Sequence, residues 1–350
     1  MRLKTIIVGA LAVLIVSSCK SSSNVQVGAI LPLTGFGAYT GELVKKGFDM
    51  AVDSLNKDNK LEFVVGDNQS TGAMGINVYK DFEMRGIKVF ISCGAPQTMS
   101  FAALSNNKDE VLFVTAANVQ ALTEVSNRII RMSPTGKSMS ARLADFNIDS
   151  LGFKKSAVAY INNDMGAEFF QGYKERFEEK GGKLTTVVTF ENTQRDFKEV
   201  INKVAMSKPE VIYVTGVGES LGILVRQMMQ TPALKGIPIT GDFNFSQPSV
   251  LNLIESRNTD IYYTDIAVSD DFATVYEALY NEPVSSYAAF GFSMVQIYYD
   301  LIVNNKITEP VALYNSIAGH SFETAINTVS FDEHGEPSFT IDFIELKKNE

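Results

Sequence analysis

The chain has 350 residues, 45% hydrophobic and 20% charged, with a formal net charge of −9; this is ordinary globular composition, long enough for two domains. An acidic chain without clustered Lys and Arg is a poor match for nucleic acid, whose phosphates need such clusters. Cys19 and Cys93 are the only cysteines, and His320 and His334 the only histidines, which leaves neither a disulfide framework nor a metal-ligand set with recognisable spacing.

Arg2 and Lys4 precede an apolar run from Ile6 to Val16, followed by Ser17, Ser18 and Cys19. A basic start, a short apolar run and small residues before a cut read as an export signal over residues 1–18. The run is too short to span a bilayer comfortably. Loss of this segment removes Arg2 and Lys4 and takes the net charge to −11. Val16-Ser17-Ser18-Cys19 resembles the bacterial lipobox, which implies lipidation of Cys19; the alternative is an ordinary signal peptide with an incidental cysteine. Residues 19–24 then form a polar tether. A lipid-anchored place in the cell envelope, facing the periplasm or the exterior, is the expectation.

Val25 to Leu33 is an apolar run of the kind that forms a strand buried in a parallel sheet. Gly35, Gly37 and Gly41 mark a turn, and Val44, Phe48, Ala51, Val52 and Leu55 fall on one face of a helix. Strand, Gly-rich turn and helix form the unit with which open α/β sheets present a ligand crevice at the carboxyl ends of their strands. The spacing Gly35-x-Gly37-x-x-x-Gly41 does not fit the dinucleotide pattern, and no cofactor is expected. The stretch GAILPLTGFGAYTGELVKKGFDMAVDSLN resembles the opening of the branched-chain amino-acid (Leu/Ile/Val-binding) type of periplasmic solute-binding protein. Later stretches carry the likeness through to Glu350. The resemblance implies a type I periplasmic binding protein fold: α/β, with two Rossmann-like lobes of parallel sheet joined by a three-stranded hinge. It also implies ABC permease subunits as partners, and Tyr39 as the aromatic over the pocket.

Further along, Leu61–Val65, Lys88–Ser92 and Val111–Thr115 read as strands alternating with helices over Gly72–Arg85 and from about Thr98 onward, the alternation expected of a parallel sheet covered on both faces. VFISCGAPQTMSFAAL and VLFVTAANVQALT resemble the first lobe's ligand loops, which makes Gln97, Thr98, Ala117 and Asn118 site candidates. For Gln97, Thr98 and Asn118, helix capping and turn formation are the competing reading. Where relatives carry Ser or Thr hydroxyls, this chain has Pro96-Gln97-Thr98 and Ala117-Asn118, a departure that puts an amino-acid ligand in doubt. Cys93, at a strand end, reads as a small buried filler. IIRMSPTGKSMSARLADF resembles the first crossing between lobes.

Ser156–Ile161 opens the second lobe, and a helix is expected over Ala167–Lys180. Met165 stands where the resemblance expects Tyr, which favours a greasier ligand; an exposed turn Met is the alternative. PEVIYVTGVGESLGILVRQ repeats the strand, Gly-rich turn, helix order, and the resemblance implies that this turn faces the cleft from the second lobe, with Gly216, Val217 and Gly218 as main-chain contacts. The resemblance implies an acidic residue near here that pairs with a ligand ammonium, and Asp242 is the candidate, against an ordinary turn or N-cap role. Phe243 is a candidate pocket wall, against a place in the core. Ile266–Ser269 resembles the second crossing. YAAFGFSMVQIYYDLI resembles the helix that returns to lobe one, and TVSFDEHGEPSFTIDFIEL a C-terminal hairpin turning at Gly335. The expected first lobe comprises 25–133 with 269–328, and the second 134–268 with 329–350.

No nucleophile elbow, zinc-protease helix or Walker loop is present, so an enzyme is not expected. The leading reading is a monomeric solute-binding lipoprotein of an ABC importer, closing on a small amino acid or related carboxylate by hinge motion. The alternative is an envelope lipoprotein of the same fold that acts as a sensor or activates a protein partner.

Overall fold

The computed structural model describes residues 25–117 and 119–349; the expected export signal, Cys19 and Asn118 lie outside them. The chain runs β1 (Val25–Leu31), α1 (Ala38–Leu55), β2 (Leu61–Asp67), α2 (Gly72–Met84), β3 (Val89–Cys93), α3 (Ala95–Ser105), β4 (Val111–Thr115) and β5 (Ile129–Arg131). These strands make a parallel sheet in the order β2-β1-β3-β4-β5. The second lobe follows with α4 (Gly136–Asp145), β6 (Lys155–Ile161), α5 (Asp164–Glu179), β7 (Lys183–Phe190), α6 (Lys198–Met206), β8 (Val211–Thr215), α7 (Gly218–Met229), β9 (Ile239–Gly241), α8 (Pro248–Leu251) and β10 (Ile261–Ile266). The chain returns through α9 (Asp270–Tyr280), α10 (Ser286–Tyr299), α11 (Pro310–Ile317), β11 (Ser321–Thr324), β12 (Asn327–Phe331), β13 (Pro337–Ser338) and β14 (Ile341–Leu346). The second sheet is ordered β14-β10-β9-β8-β6-β7, with only β14 antiparallel, and β11-β12-β13 form a small antiparallel sheet.

Both lobes therefore repeat one topology. In each, the first strand sits between the second and the third, and the order reverses between β1 and β3 and between β6 and β8. Loops leaving those strands diverge to opposite faces of the sheet, and the crevice between them is where such sheets bind ligands. The strands are buried on both faces, as parallel strands covered by helices must be: β3, β4 and β8 are buried at every residue.

On the first sheet, Val27, Ala29, Ile91 and Phe113 face α1 and α10, whereas Ile30, Phe90, Leu112 and Val114 face α2 and α3. Helices α1 and α10 approach closely because two glycines allow it. A Cβ on Gly47 would stand 1.7 Å from the Ala288 carbonyl oxygen, and one on Gly291 would stand 2.0 Å from that of Val44. In the second lobe, Ile212 and Val214 face α6 and α7, and Val158 and Tyr213 face α4 and α5.

Three crossings join the lobes: after β5, after β10, and from β13 into β14. The second and third run side by side, with the Ala267 N–H donating to the Thr340 carbonyl at 3.1 Å. The small antiparallel sheet lies at this hinge, and Phe331 of β12 meets Phe113 of β4 edge-on at 5.9 Å.

Some element bounds differ from the sequence reading. Helix α3 begins at Ala95 rather than near Thr98: Gly94, at φ +94°, turns the chain, and Pro96 falls in the first turn, where its missing N–H costs nothing. Helix α5 begins at Asp164 because the Asn163 side chain accepts the Gly166 N–H at 2.9 Å and caps it there. Met165 thus lies on a helix, not in a turn. The α10 helix widens at its end into a π-helical turn over Asp300–Asn304.

Candidate functional site

The loops at the carboxyl ends of the strands face one another across the cleft. On the first lobe, the loop after β1 is tied to the loop after β2. Asp67 accepts the Leu33 N–H at 2.9 Å and the Thr34 hydroxyl at 2.6 Å, and the Ser70 hydroxyl accepts the Gly37 N–H at 2.8 Å. Tyr39 stands in the first turn of α1, 44% exposed, near Glu282. Gln97 is buried, and its Nε2 donates to the Ser70 carbonyl at 2.8 Å. Thr98 is also buried, its hydroxyl 2.7 Å from that of Ser92 and donating to the Gly94 carbonyl at 2.7 Å. The Ala117 N–H donates to the Ser133 hydroxyl at 3.1 Å, joining the loop after β4 to the first crossing.

On the second lobe, Met165 packs against both large apolar clusters, one centred on each lobe. Gly216 and Val217 follow β8, and Gly218 opens α7 at φ +60°. A chain of hydrogen bonds fixes these loops. The Gly218 N–H donates to Gln247 Oε1 at 3.2 Å, Gln247 Nε2 to Asn244 Oδ1 at 2.9 Å, and Asn244 Nδ2 to Asp242 Oδ1 at 2.6 Å. The Thr215 hydroxyl donates to the other Asp242 oxygen at 2.5 Å. Asp242 also caps the short helical turn Phe243–Ser246 through the Asn244 N–H. Burial pushes the Asp242 carboxyl up to about 6 although these donors pull it down. Both of its oxygens are engaged within the lobe.

Phe243 reaches across to the first lobe, with its ring 5.8 Å from that of Tyr287 and edge-on to it. A recess of about 10 Å³ lies there, at the hinge side of the cleft, lined by Ser133, Pro134, Phe243, Ile266, Ser286, Tyr287 and Phe290. It has about the room of one water molecule. A broader depression of about 560 Å³ lies elsewhere, on the outer surface of the second lobe around Arg226, Arg257 and Asn349.

Two residues at the cleft were not singled out from the sequence. Tyr287 lies in the first turn of α10, and its phenol is pushed up by burial and then by Cys93, Asp242, Asp265 and Tyr39 around it. Asp265, at the end of β10, accepts the Ile266 N–H at 2.8 Å. Burial pushes its carboxyl up to about 7 against the Ile266 and Ser286 donors, and the Asp342 and Asp242 carboxylates add to the rise. The available signals were an aromatic in the first turn of a Ser-capped helix, and an Asp next to the last residue of a largely apolar strand. Among the described residues, no group of three or more His, Cys, Asp or Glu is placed to hold a metal ion, and no helix is long and apolar enough to cross a membrane.

The family described as periplasmic binding protein matches residues 24–350. Among individual proteins, the chain is 23% identical over 348 residues to a Leu/Ile/Val-binding protein homolog of Brucella melitensis biotype 1, covering 95% of this chain and 93% of that one. It is similar in fold to a leucine binding protein from Thermotoga maritima MSB8, with a TM-score of 0.80, 18% identity, and 92% and 95% of the two chains covered. A solute binding protein of an ABC transporter from Rhodopseudomonas palustris HaA2, in complex with p-hydroxybenzoic acid, superposes with a TM-score of 0.80, 19% identity and 93% of each chain covered.

Proposed function

This chain belongs to the periplasmic binding protein family, and from that premise we propose that it is a monomeric, lipid-anchored receptor for a small carboxylate with an apolar body. Its class is that of extracytoplasmic solute-binding proteins of ABC transporters, which are not enzymes.

The observation that carries the ligand reading is the state of Asp242. An ammonium group shut into a cleft needs a carboxylate partner to offset its desolvation, and three of the roughly four acceptor sites of Asp242 are already taken by the Thr215 hydroxyl and by the main-chain and side-chain N–H groups of Asn244. Phe243, Tyr287, Phe290 and Pro134 line the recess at the hinge side of the cleft, and such a lining suits an apolar ligand body. The relative that binds p-hydroxybenzoic acid shows that this fold accommodates such an acid. Tyr39, Gln97, Thr98, Ala117, Asn118, Met165 and the Gly216-Val217-Gly218 turn form the proposed walls. An acid without an α-ammonium is favoured over an amino acid.

Thermal unfolding of the chain from Ser21 onward, stripped of co-purified ligand by refolding, tests this against leucine, isoleucine, benzoate and p-hydroxybenzoate. A ligand at a hundred times its dissociation constant stabilises by about 2.7 kcal/mol. The expected result is a saturable shift with the aromatic acids. A shift confined to the amino acids would overturn the ligand reading, and no shift with any probe would remove the support for a small carboxylate. The anchor is tested separately: Cys19→Ser is expected to abolish labelling by radioactive palmitate and to move the protein out of the membrane fraction.

A further inference from the structure

Arg131 ends β5, just before the first crossing, and its guanidinium is wholly buried. Such burial is costly unless the flat fork of N–H donors is met in the right geometry. Here it is met from two separate parts of the chain. Nη1 donates to the carbonyls of Ala117 and Val119, the latter at 2.8 Å, both in the loop after β4. Nε and Nη2 donate to the two carboxylate oxygens of Glu336 at 2.9 and 3.1 Å. The Thr123 hydroxyl, farther along the chain from the same loop, also donates to Glu336.

Glu336 belongs to the turn that leads into the third crossing. That turn is itself seated on β5: the Arg131 N–H donates to the Gly335 carbonyl at 2.9 Å. Gly335 stands at φ +78°, and a Cβ there would lie 2.7 Å from the Ile129 carbonyl oxygen. Asp332 closes the turn by accepting the N–H groups of His334 and Glu336 at 2.8 and 2.9 Å. One buried cation therefore holds a wall of the cleft on one side and a hinge segment on the other.

We propose that Arg131 is a positioning residue of the cleft, whose guanidinium, forked onto Glu336, locks the loop after β4 to the third crossing so that the two move as one body. The fork is planar and its donors diverge in fixed directions, so the carbonyls of Ala117 and Val119 cannot swing without loosening the Glu336 pair. A displacement of the hinge turn is carried to the loop by the same bonds. The effect on affinity rests on the solute-receptor reading; the mechanical coupling does not.

Hydrogen–deuterium exchange on the unliganded full-length protein in detergent tests the coupling. Glu336→Gln keeps the side-chain size and removes the charge, 205 residues from Arg131. It is expected to speed exchange at residues 117–123 and 332–337 together, by at least about tenfold, while β1 and β3 keep their protection. A merely structural loss would instead lower protection across the whole first sheet. Arg131→Lys, which keeps the charge without the fork, is expected to free the same two segments. If Glu336→Gln fails to fold, Thr123→Val removes one of the contacts to Glu336 and is expected to give the same paired pattern at smaller amplitude. Unchanged exchange at 117–123, or loss spread evenly over the sheet, overturns the proposal. Benzoate titration of the same variants gives the second readout, a weaker dissociation constant at unchanged stoichiometry. Failure of benzoate and leucine to bind the parent protein would count against the solute reading alone, since the exchange result needs no ligand.

Discussion

The ring of Phe243, carried by the second lobe, meets the ring of Tyr287, carried by the first, at 5.8 Å between centroids and 77° between planes. Edge-to-face pairs of this kind contribute about 0.5–1.5 kcal/mol beyond the area they bury. The contact sits at the hinge-side base of the cleft, so it links the stability of the lobes to their relative position. A double-mutant cycle with Phe243→Leu and Tyr287→Leu, followed by urea unfolding, is expected to give a coupling energy in that range. Strictly additive effects would mean that the rings do not meet in solution.

A second prediction concerns the close approach of α1 and α10. Gly291→Ala places a methyl where the Val44 carbonyl oxygen would be only 2.0 Å away, so the helices must part. Overpacking of this kind costs roughly 1–3 kcal/mol. Helix propensity alone predicts the opposite sign, since Ala is the better helix former by about 1 kcal/mol. Thermal unfolding of Gly291→Ala decides between the two, and a lowered midpoint is expected.

Much of this architecture was legible in the sequence because each lobe is written as apolar runs broken by Gly-rich turns. The runs at Val27, Phe90, Val111 and Val211 read as strands of a parallel sheet, and these residues are buried in the folded chain. The cleft loops were legible for the same reason, since in such sheets they follow the carboxyl ends of the strands. What each polar side chain does there was not legible. Thr98 reads equally as a ligand hydroxyl or a structural one, and only folding brings Ser92 and the Gly94 carbonyl to it. Asp242 finds Thr215 27 residues away, and Arg131 finds Glu336 205 residues away. Pairings of that range leave no local pattern, because they depend on which strands become neighbours and not on spacing along the chain.

Cys93 gives a third prediction. It is fully buried at the end of β3, and burial alone pushes its thiol up to about 12. The thiolate is the reactive form, so native protein near neutral pH is expected to resist thiol reagents and to react at once in denaturant. Because Cys93 is also among the groups around Tyr287, fast labelling of the native protein would show that the cleft opens wide enough to expose the base of β3.

The last prediction follows from Asp242 and Asp265. Their carboxyls lie at about 6 and about 7 in the folded protein, against an ordinary 3.8. The cause is burial in both, with Asp342, directly opposite Asp265 in the β10–β14 register, adding a like charge. A raised carboxyl binds its proton more tightly folded than unfolded. Between about pH 4 and 7 the native state therefore carries the extra protons, and stability falls as pH rises through that window. Carboxylates such as Asp145 and Glu282, held below their ordinary values, act with the opposite sign at lower pH, so the measurement is best made as a difference. Asp265→Asn keeps a polar group against Ser286 and removes the titration. Its stability relative to the parent is expected to improve from about pH 4.5 to about pH 7.5 by on the order of 1–3 kcal/mol. A difference that stays flat across the window would show that Asp265 titrates as an ordinary surface carboxylate.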